Sequence, residues 1–136
     1  NIAVPLESAG VNVLGYEAAL AAYRDGRAWR EALLTTLRAH RDQVVASVAT
    51  MPGLEMAVPE ATYLAWIDAR GLGVASPARF FEQHGVGLSD GVDFGAPGFV
   101  RLNFGCPRGL LLEAVDRMAR ATAARTGGEG EPPDSP

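Results

Sequence analysis

The stretch Phe99-Val-Arg-Leu-Asn-Phe104 decides the fold class, because its side chains alternate in the way that a β-strand requires. The alternation puts Phe99, Arg101 and Asn103 on one face of the strand and Val100, Leu102 and Phe104 on the other. One face is entirely apolar, whereas the other carries a cation and an amide. The stretch therefore predicts a strand with two chemically different faces.

A second strand and two long helices are predicted ahead of this stretch. Thr62–Ile67 is rich in aromatic and branched residues and predicts a strand, and Leu54–Val58 predicts a shorter one. Helical spacing of apolar residues begins at Leu14 and resumes over about 28–49. Met51-Pro52-Gly53 ends the second helix, since proline cannot continue a helix and glycine permits the turn.

The remaining elements are shorter. Ser76-Pro77 supplies an N-cap and a proline at the first helical position, which predicts a helix over Ala78–His84. Val86–Leu88 predicts a very short strand, and residues 89–98 predict a glycine-rich irregular segment. Cys106-Pro107 is expected to open the last helix. Together these elements predict an α+β fold with helices packed on one face of a small, mostly antiparallel sheet.

Composition excludes several classes of function. The 136 residues carry 12 basic and 16 acidic side chains, giving a net charge of −4, and every basic residue is arginine. The acidic balance argues against nucleic acid or an anionic membrane as a partner, and no apolar run is long enough to span a membrane. A single cysteine and the lack of a signal-peptide pattern predict a cytoplasmic location. Without lysine, no Schiff base to a lysine amine can form in this chain.

Arg101 is the most informative candidate for a binding residue. An arginine on a strand can be a solvated surface charge. It can also be a planar, two-pronged donor for a carboxylate, a geometry that lysine does not supply. The spacing alone leaves both interpretations open.

The other polar candidates favour structural roles. His40 and His84 have no further ligand at metal-binding spacing, so no metal site is predicted. Cys106, at a predicted helix start, is explained as well by capping as by reactivity. Asp90 and Asp93 could be paired carboxylates, but such residues are more typical of a solvated turn. No catalytic residue is predicted in this chain.

Several segments together resemble a known family. In order along the chain they are Ala61–Asp68, Pro77 with Phe80-Phe81, Gly85–Gly91, Phe94-Gly95 and Gly98–Arg108. As a set they are similar to the C-terminal part of the pyridoxal-phosphate β-lyases of the MalY/PatB type, within the class I/II aminotransferase superfamily. The similarity extends from Val11 to Arg120, and the stretch from Leu14 resembles the segment that joins the two domains of these enzymes.

The resemblance implies a domain organisation. Residues 28–125 are expected to be the small C-terminal domain of a fold-type I enzyme, preceded by a connector and interdomain helix over residues 1–27. Residues 126–136 are rich in glycine, proline and charge, and are predicted to form a disordered tail.

The resemblance also assigns candidate site residues. The carboxylate-binding arginine of the family falls in the Val-Arg-Leu-Asn motif, which places it at Arg101. This agrees with the two-pronged geometry that arginine offers a carboxylate. Tyr63 and Asn103 are further candidates to contact the substrate or to shape the site.

The chemistry implied by the resemblance needs more than this chain. Family members are usually homodimers that cleave the C–S bond of cystathionine or cysteine conjugates to a thiol, pyruvate and ammonia. Their lysine, their aspartate on the pyridine nitrogen and their phosphate ligands lie in a large domain upstream of the part matched here. This chain is therefore expected to be part of a longer or split enzyme, inactive alone, without cofactor-binding residues of its own.

Two other functions stay open at this point. An aminotransferase of the same superfamily would use the same arginine for the same carboxylate. A noncatalytic remnant would serve as a binding or regulatory domain and would need Arg101 only as a surface charge.

Overall fold

A computed structural model describes residues 12–127 of the chain. Internal contacts divide it into two compact units, one ending at Thr36 and the other starting at Leu37. The predicted domain division at residues 27 and 28 stays a prediction, because a compact unit is not by itself an independent domain. The predicted tail lies outside the described residues from Gly128 onward.

Two helices come first. Helix α1 covers Val13–Asp25, and the side chain of Asn12 caps it by accepting a hydrogen bond from the Gly15 N–H at 2.8 Å. None of the α1 residues is buried. Helix α2 covers Arg27–Val48, in agreement with the predicted spacing, and it crosses the boundary between the two units.

Four strands form one antiparallel sheet within the second unit. They are β1 (Glu55–Met56), β2 (Leu64–Asp68), β3 (Ser89–Asp90) and β4 (Phe99–Asn103), in the spatial order β1-β2-β4-β3. The two longest strands lie at the centre, and Trp66 of β2 is the partner of Arg101 in β4. On the other side of β4, Ser89 is the partner of Arg101. The predicted α+β class with an antiparallel sheet is confirmed.

Helices cover one face of the sheet. Helix α3 covers Pro77–Gln83 and helix α4 covers Arg108–Gly127. Along β2 and β4 every second side chain is buried, namely Ala65, Ile67, Val100 and Leu102. They join one hydrophobic core with buried residues of the helices, among them Val44, Val48, Phe81, Leu111 and Met118. Burial of this apolar surface is the main stabilising term for a unit of this size.

His40 also lies in this core. It is 3 % exposed, and its Nδ1 lies 3.0 Å from the carbonyl oxygen of Phe104. This hydrogen bond satisfies a polar atom that would otherwise be costly to bury. It also connects α2 to the residue that follows β4.

The expectation of a strand at Val86–Leu88 is wrong. The N–H of Val86 donates to the carbonyl of Phe81 at 2.9 Å, so Val86 completes the end of α3 instead of pairing with a strand. The strand is β3, and it lies at the start of the segment that was predicted to be irregular. A 3-10 turn over Gly91–Phe94 follows directly.

Other observed boundaries differ from the predicted ones by one or two residues. β2 begins at Leu64, not at Thr62, because Thr62 has a left-handed φ of 66° that a strand cannot contain. β1 is reduced to two residues. Helix α4 begins at Arg108, after Cys106-Pro107, and it includes Thr126 and Gly127 of the predicted tail.

Two glycines allow a close approach of backbones beside the sheet. Gly53 follows α2 with a positive φ of 78°, and Gly71 lies in a 3-10 turn over Arg70–Leu72. A Cβ on Gly53 would lie 2.8 Å from the carbonyl carbon of Gly71, and a Cβ on Gly71 would lie 2.8 Å from the Cα of Gly53. Only hydrogen fits at either position.

Candidate functional site

The face of the sheet opposite the core is the candidate site. It carries six side chains of the two central strands, which are half-buried or exposed: Leu64, Trp66, Asp68, Phe99, Arg101 and Asn103. We call this surface the open face. The alternation predicted for β4 is confirmed, because Phe99 and Asn103, the two residues predicted to share a face with Arg101, do so.

The guanidinium of Arg101 is held by two neighbours. Its Nη2 donates a hydrogen bond to the Ser89 Oγ at 3.2 Å. Its Cζ lies 4.4 Å from the centroid of the Phe94 ring, within the range of a cation–π interaction. Ser89 is placed by β3, and Phe94 by the turn that follows that strand.

Arg101 has no carboxylate partner in the described part of the chain. Ion pairs within 4.0 Å involve other arginines, namely Arg24, Arg41, Arg70, Arg117 and Arg120. A guanidinium has five N–H donors, and the bond to Ser89 uses one of them. The half-buried Arg101 therefore presents unused donors and an uncompensated charge on the open face.

The Phe94 ring beside this guanidinium belongs to a group of three aromatic rings. Trp66 stacks on Phe99 with centroids 5.6 Å apart, and it meets Phe94 edge to face at 5.7 Å. We call Trp66, Phe94 and Phe99 the aromatic cluster. A second arginine, Arg70, lies with its Cζ 5.1 Å from the Phe99 ring. The cluster is thus bordered by a cation at each end.

A groove of about 550 Å³ borders the cluster. It is lined mainly by apolar side chains, including Met56, Val58, Pro59, Leu64, Trp66 and Phe99, with the carboxylates of Glu55 and Asp68. Asp68 is paired with Arg70, whose Nη2 lies 2.6 Å from Oδ2. Hydrogen bonds from Arg70 hold the pKa of Asp68 below its ordinary value, although burial opposes the shift.

Tyr63 and Asn103 lie at the end of the central strands. The Asn103 Oδ1 accepts a hydrogen bond from the Gly105 N–H at 2.8 Å, which shapes the turn after β4. The carbonyl of Tyr63 accepts one from the Phe104 N–H at 2.9 Å, and a Cβ on Gly105 would lie 3.1 Å from the Tyr63 ring. Both residues therefore have structural contacts. A role for either in substrate binding stays a prediction.

Two of the remaining polar candidates, Asp90 and His84, have structural contacts. Asp90 caps the turn after β3, because its Oδ1 accepts from the Val92 N–H at 3.1 Å. The Nδ1 of His84 lies 2.8 Å from the Phe80 carbonyl oxygen. Within residues 12–127, no three metal-ligating side chains form a cluster. No helix in that range is both long and apolar enough to cross a membrane.

Sequence reasoning missed Ser89 and Phe94. Both lie in the glycine-rich stretch over residues 89–98, which the sequence predicts to be irregular. Two residues of this stretch indicate a capped turn. Asp90 is a typical capping residue, and Gly95 ends the turn with a left-handed φ of 75°, a conformation that favours glycine. A capped turn next to a strand would have predicted a fixed position for Phe94.

Comparison with known families identifies the class of protein. The family described as Aminotransferase class I and II matches residues 9–118, which is most of the chain. The chain belongs to the class I and II aminotransferase family. The expected resemblance to MalY/PatB-type enzymes is confirmed by relatives within that family.

Two curated relatives show the branch of the family. Protein MalY of Escherichia coli is 36 % identical over a match that covers 83 % of this chain and 30 % of MalY. The cystathionine beta-lyase of Corynebacterium glutamicum is 35 % identical, with 81 % of this chain and 30 % of that protein covered. The chain thus spans about a third of the length of the curated relatives it matches.

Solved structures agree in fold and sequence. The crystal structure of OvoB is similar with a TM-score of 0.82 and 58 % identity, over 84 % of this chain and 30 % of that one. The PLP-bound C-S lyase from Staphylococcus hominis, complexed with the inhibitor L-cycloserine, gives a TM-score of 0.74 at 30 % identity, over 82 % and 29 %. These neighbours confirm the predicted small-domain architecture of fold-type I enzymes.

Proposed function

We propose that this chain is the substrate-carboxylate-binding part of a pyridoxal-phosphate-dependent enzyme that cleaves a carbon–sulfur bond in an amino acid. One observation carries the proposal. Arg101 is half-buried, its guanidinium is held by Ser89 and Phe94, and no carboxylate of residues 12–127 neutralises it. Relatives named as lyases support the type of reaction.

The physical reason lies in the shape of the two groups. A guanidinium is planar and donates two parallel N–H bonds, and an α-carboxylate is planar and accepts two. Binding at Arg101 would hold the amino acid by the end that every α-amino acid shares. The rest of the molecule then stays free to react elsewhere, so Arg101 would orient the substrate without itself taking part in bond cleavage.

Pyridoxal phosphate, when bound, acts as an electron sink for the α-carbon of an amino acid. This allows a bond at the neighbouring carbon to be cleaved. This chain does not fit as its sole holder, because the 136 residues contain no lysine to attach it. We propose that a lysine-bearing large domain or partner chain holds the cofactor, and that the assembled enzyme is a homodimer. The cytoplasmic location predicted from the sequence is part of the same proposal.

Exposed apolar side chains support a larger assembly. On α1, Leu14 is 80 % exposed and Tyr23 is 92 % exposed, and other large apolar residues of the helix are also accessible. A helix that exposes several large apolar side chains and buries none of its residues is typical of a segment that contacts other protein. In the proposed enzyme, the large domain supplies that contact.

Substitution of Arg101 in the full-length enzyme tests the carboxylate role. Arg101→Ala leaves the bound carboxylate without its partner, which costs about 2–5 kcal/mol. We expect kcat/KM for cysteine conjugates to fall roughly thirtyfold to several thousandfold, mainly through KM. Arg101→Lys keeps the charge but loses the paired donors, so it should recover only part of the loss.

A matched control is available on the surface of α4. Arg120 is exposed and pairs with Asp116 at 2.7 Å, so Arg120→Ala should leave KM unchanged. A KM in Arg101→Ala equal to that of the parent enzyme would contradict the carboxylate role and favour a noncatalytic domain. Identification of the products separates a lyase, which releases a thiol, pyruvate and ammonia, from an aminotransferase, which releases the keto acid of its substrate.

The mass of the protein in its source cell tests the assembly. Peptides from Phe99 to Arg108 report whether the product is much heavier than 14.3 kDa. A heavier product is expected. A product near that mass, purified without a lysine-bearing partner chain, would contradict the proposed enzyme.

A further inference from the structure

We propose that Phe94 and Ser89 are positioning residues that fix the plane of the Arg101 guanidinium before a carboxylate binds. The proposal deepens the proposed function and rests on it, because the guanidinium matters only if a carboxylate reaches it. Neither residue was a candidate in the sequence, and neither need touch the substrate. Their effect is transmitted through the orientation of Arg101.

Phe94 restrains the tilt of the guanidinium. The distance of 4.4 Å between the Arg101 Cζ and the Phe94 ring centroid is short for a cation over an aromatic face. The negative face of the Phe94 ring attracts the cation and covers one side of the guanidinium plane. The N–H groups project from the edge of the guanidinium, so an aromatic ring against the face leaves them available.

Ser89 restrains rotation within that plane. Its Oγ accepts from the Arg101 Nη2 at 3.2 Å, and the pairing of β3 with β4 places the two residues directly opposite each other. A contact on the face and a contact on the edge together define the orientation of a planar group. The remaining donors then point in a fixed direction on the open face.

The position of Phe94 is itself fixed by a capped turn. The Asp90 carboxylate accepts from the Val92 N–H, and the Ala96 N–H donates to the Gly91 carbonyl at 2.9 Å. Gly91 is buried with no room for a side chain, since a Cβ there would lie 2.6 Å from the Phe99 carbonyl oxygen. Edge-to-face contact with Trp66 adds a third restraint on the Phe94 ring.

Such restraint favours binding by lowering its entropic cost. A free arginine side chain samples many rotamers, and a ligand that needs one of them must overcome the loss of the others. Here the protein has already restricted the side chain during folding. Loss of the Phe94 ring should therefore weaken carboxylate binding while leaving the charge of Arg101 in place.

Steady-state kinetics of the full-length enzyme test this role. Phe94→Leu removes the ring but keeps an apolar side chain, and we expect KM to rise about three- to thirtyfold with kcat changed less than twofold. Phe94→Tyr keeps the ring and should restore KM. Phe80→Leu is the matched control, because the half-buried Phe80 ring of α3 packs against the core with Phe81 and His84 and is not one of the open-face side chains. It should leave KM unchanged.

A second measurement needs no activity. In the full-length enzyme without substrate, the Phe94 ring current should shift the NMR signals of the Arg101 Nε–H and Cδ protons from their usual positions. Phe94→Leu should abolish this shift, whereas Phe80→Leu and Phe94→Tyr should preserve it. An Arg101 side chain with ordinary shifts in the parent chain would overturn the proposal.

The outcomes separate this proposal from the proposed function. If Arg101→Ala raises KM and Phe94→Leu does not, the positioning role fails and the carboxylate role stands. If Arg101→Ala leaves KM unchanged, the carboxylate role itself fails. Should Phe94→Leu not fold, Ser89→Ala removes the other restraint with little change in volume. It is expected to raise KM by two- to tenfold, and an unchanged KM would then overturn the proposal.

Discussion

The two faces of the central strands differ in what they bury and in what they offer. On the covered face of β2 and β4, Ile67 and Val100 are fully buried, and every side chain is apolar. On the open face, the same two strands carry a cation without a carboxylate partner among residues 12–127, an ion-paired carboxylate and stacked rings, all at least partly accessible. Residues that are adjacent in sequence therefore lie in opposite environments, one in the core and the next on the accessible face.

This difference shows how a small sheet can use one face for stability and the other for binding. The period of two in a strand sends alternate residues to opposite sides, so the covered face can be packed closely without constraining the open face. Substitutions on the covered face should change the free energy of unfolding. Substitutions on the open face should change binding first.

The largest expected effect is on the covered face. Ile67→Ala removes buried methylene and methyl groups from the centre of the core and should lower the free energy of unfolding by about 2–5 kcal/mol. Leu110→Ala removes the same number of carbon atoms from a side chain that is 57 % exposed on α4. It should change stability by less than about 0.5 kcal/mol. Urea denaturation of the 136-residue chain measures both, and similar values would contradict the separation of the faces.

A smaller effect is expected where the open face depends on backbone packing. Gly91→Ala forces a Cβ against the carbonyl oxygens of Ala96 and Phe99, which should destabilise the chain by about 1–3 kcal/mol. It should also displace Phe94 and reduce the NMR shift of the Arg101 side chain. Gly87 has no atom within 4 Å of an added Cβ, so Gly87→Ala is the control. Equal melting temperatures for the two variants would show that the turn adapts without cost.

The smallest effect concerns the ion pair on the open face. Because the pKa of Asp68 is lowered from its ordinary value of 3.8 in the folded chain, its ionised form favours folding. That contribution is complete above pH 3.8 and is lost as the pH falls through the lowered pKa. Asp68→Asn should therefore make stability less dependent on pH below about 4. Arg70→Met removes the cause of the shift and should flatten the same region of the profile. An unchanged acid slope in both variants would exclude the pair as its source.

Local periodicity predicted the parts of the fold in which a single face is buried. The helical spacing of Val44 and Val48 and the alternation along β4 both follow from one buried side, and both are confirmed. His40 is buried on the same helix face as these valines. Its burial was not predicted, because a polar histidine does not count in an apolar pattern. Only the position of the Phe104 carbonyl, 64 residues away, explains its burial.

The site was predicted in part for the same reason. Arg101 is visible from its place in an alternating strand and from the resemblance to known enzymes. Ser89 and Phe94 were not visible, since their contacts depend on how β3 pairs and on how a four-residue turn is capped. Short elements with such contacts carry little periodicity, so their placement is decided by tertiary structure.

The paired glycines beside the sheet restrict how this protein can vary. Because Gly53 and Gly71 each occupy the space that a side chain at the other would need, neither position can change alone without moving the backbone. Once one substitution has separated the two segments, the second would meet less resistance, so their costs are not additive. A double substitution should therefore cost less than the sum of the two single ones, although a side chain at position 53 would still carry the strain of a positive φ.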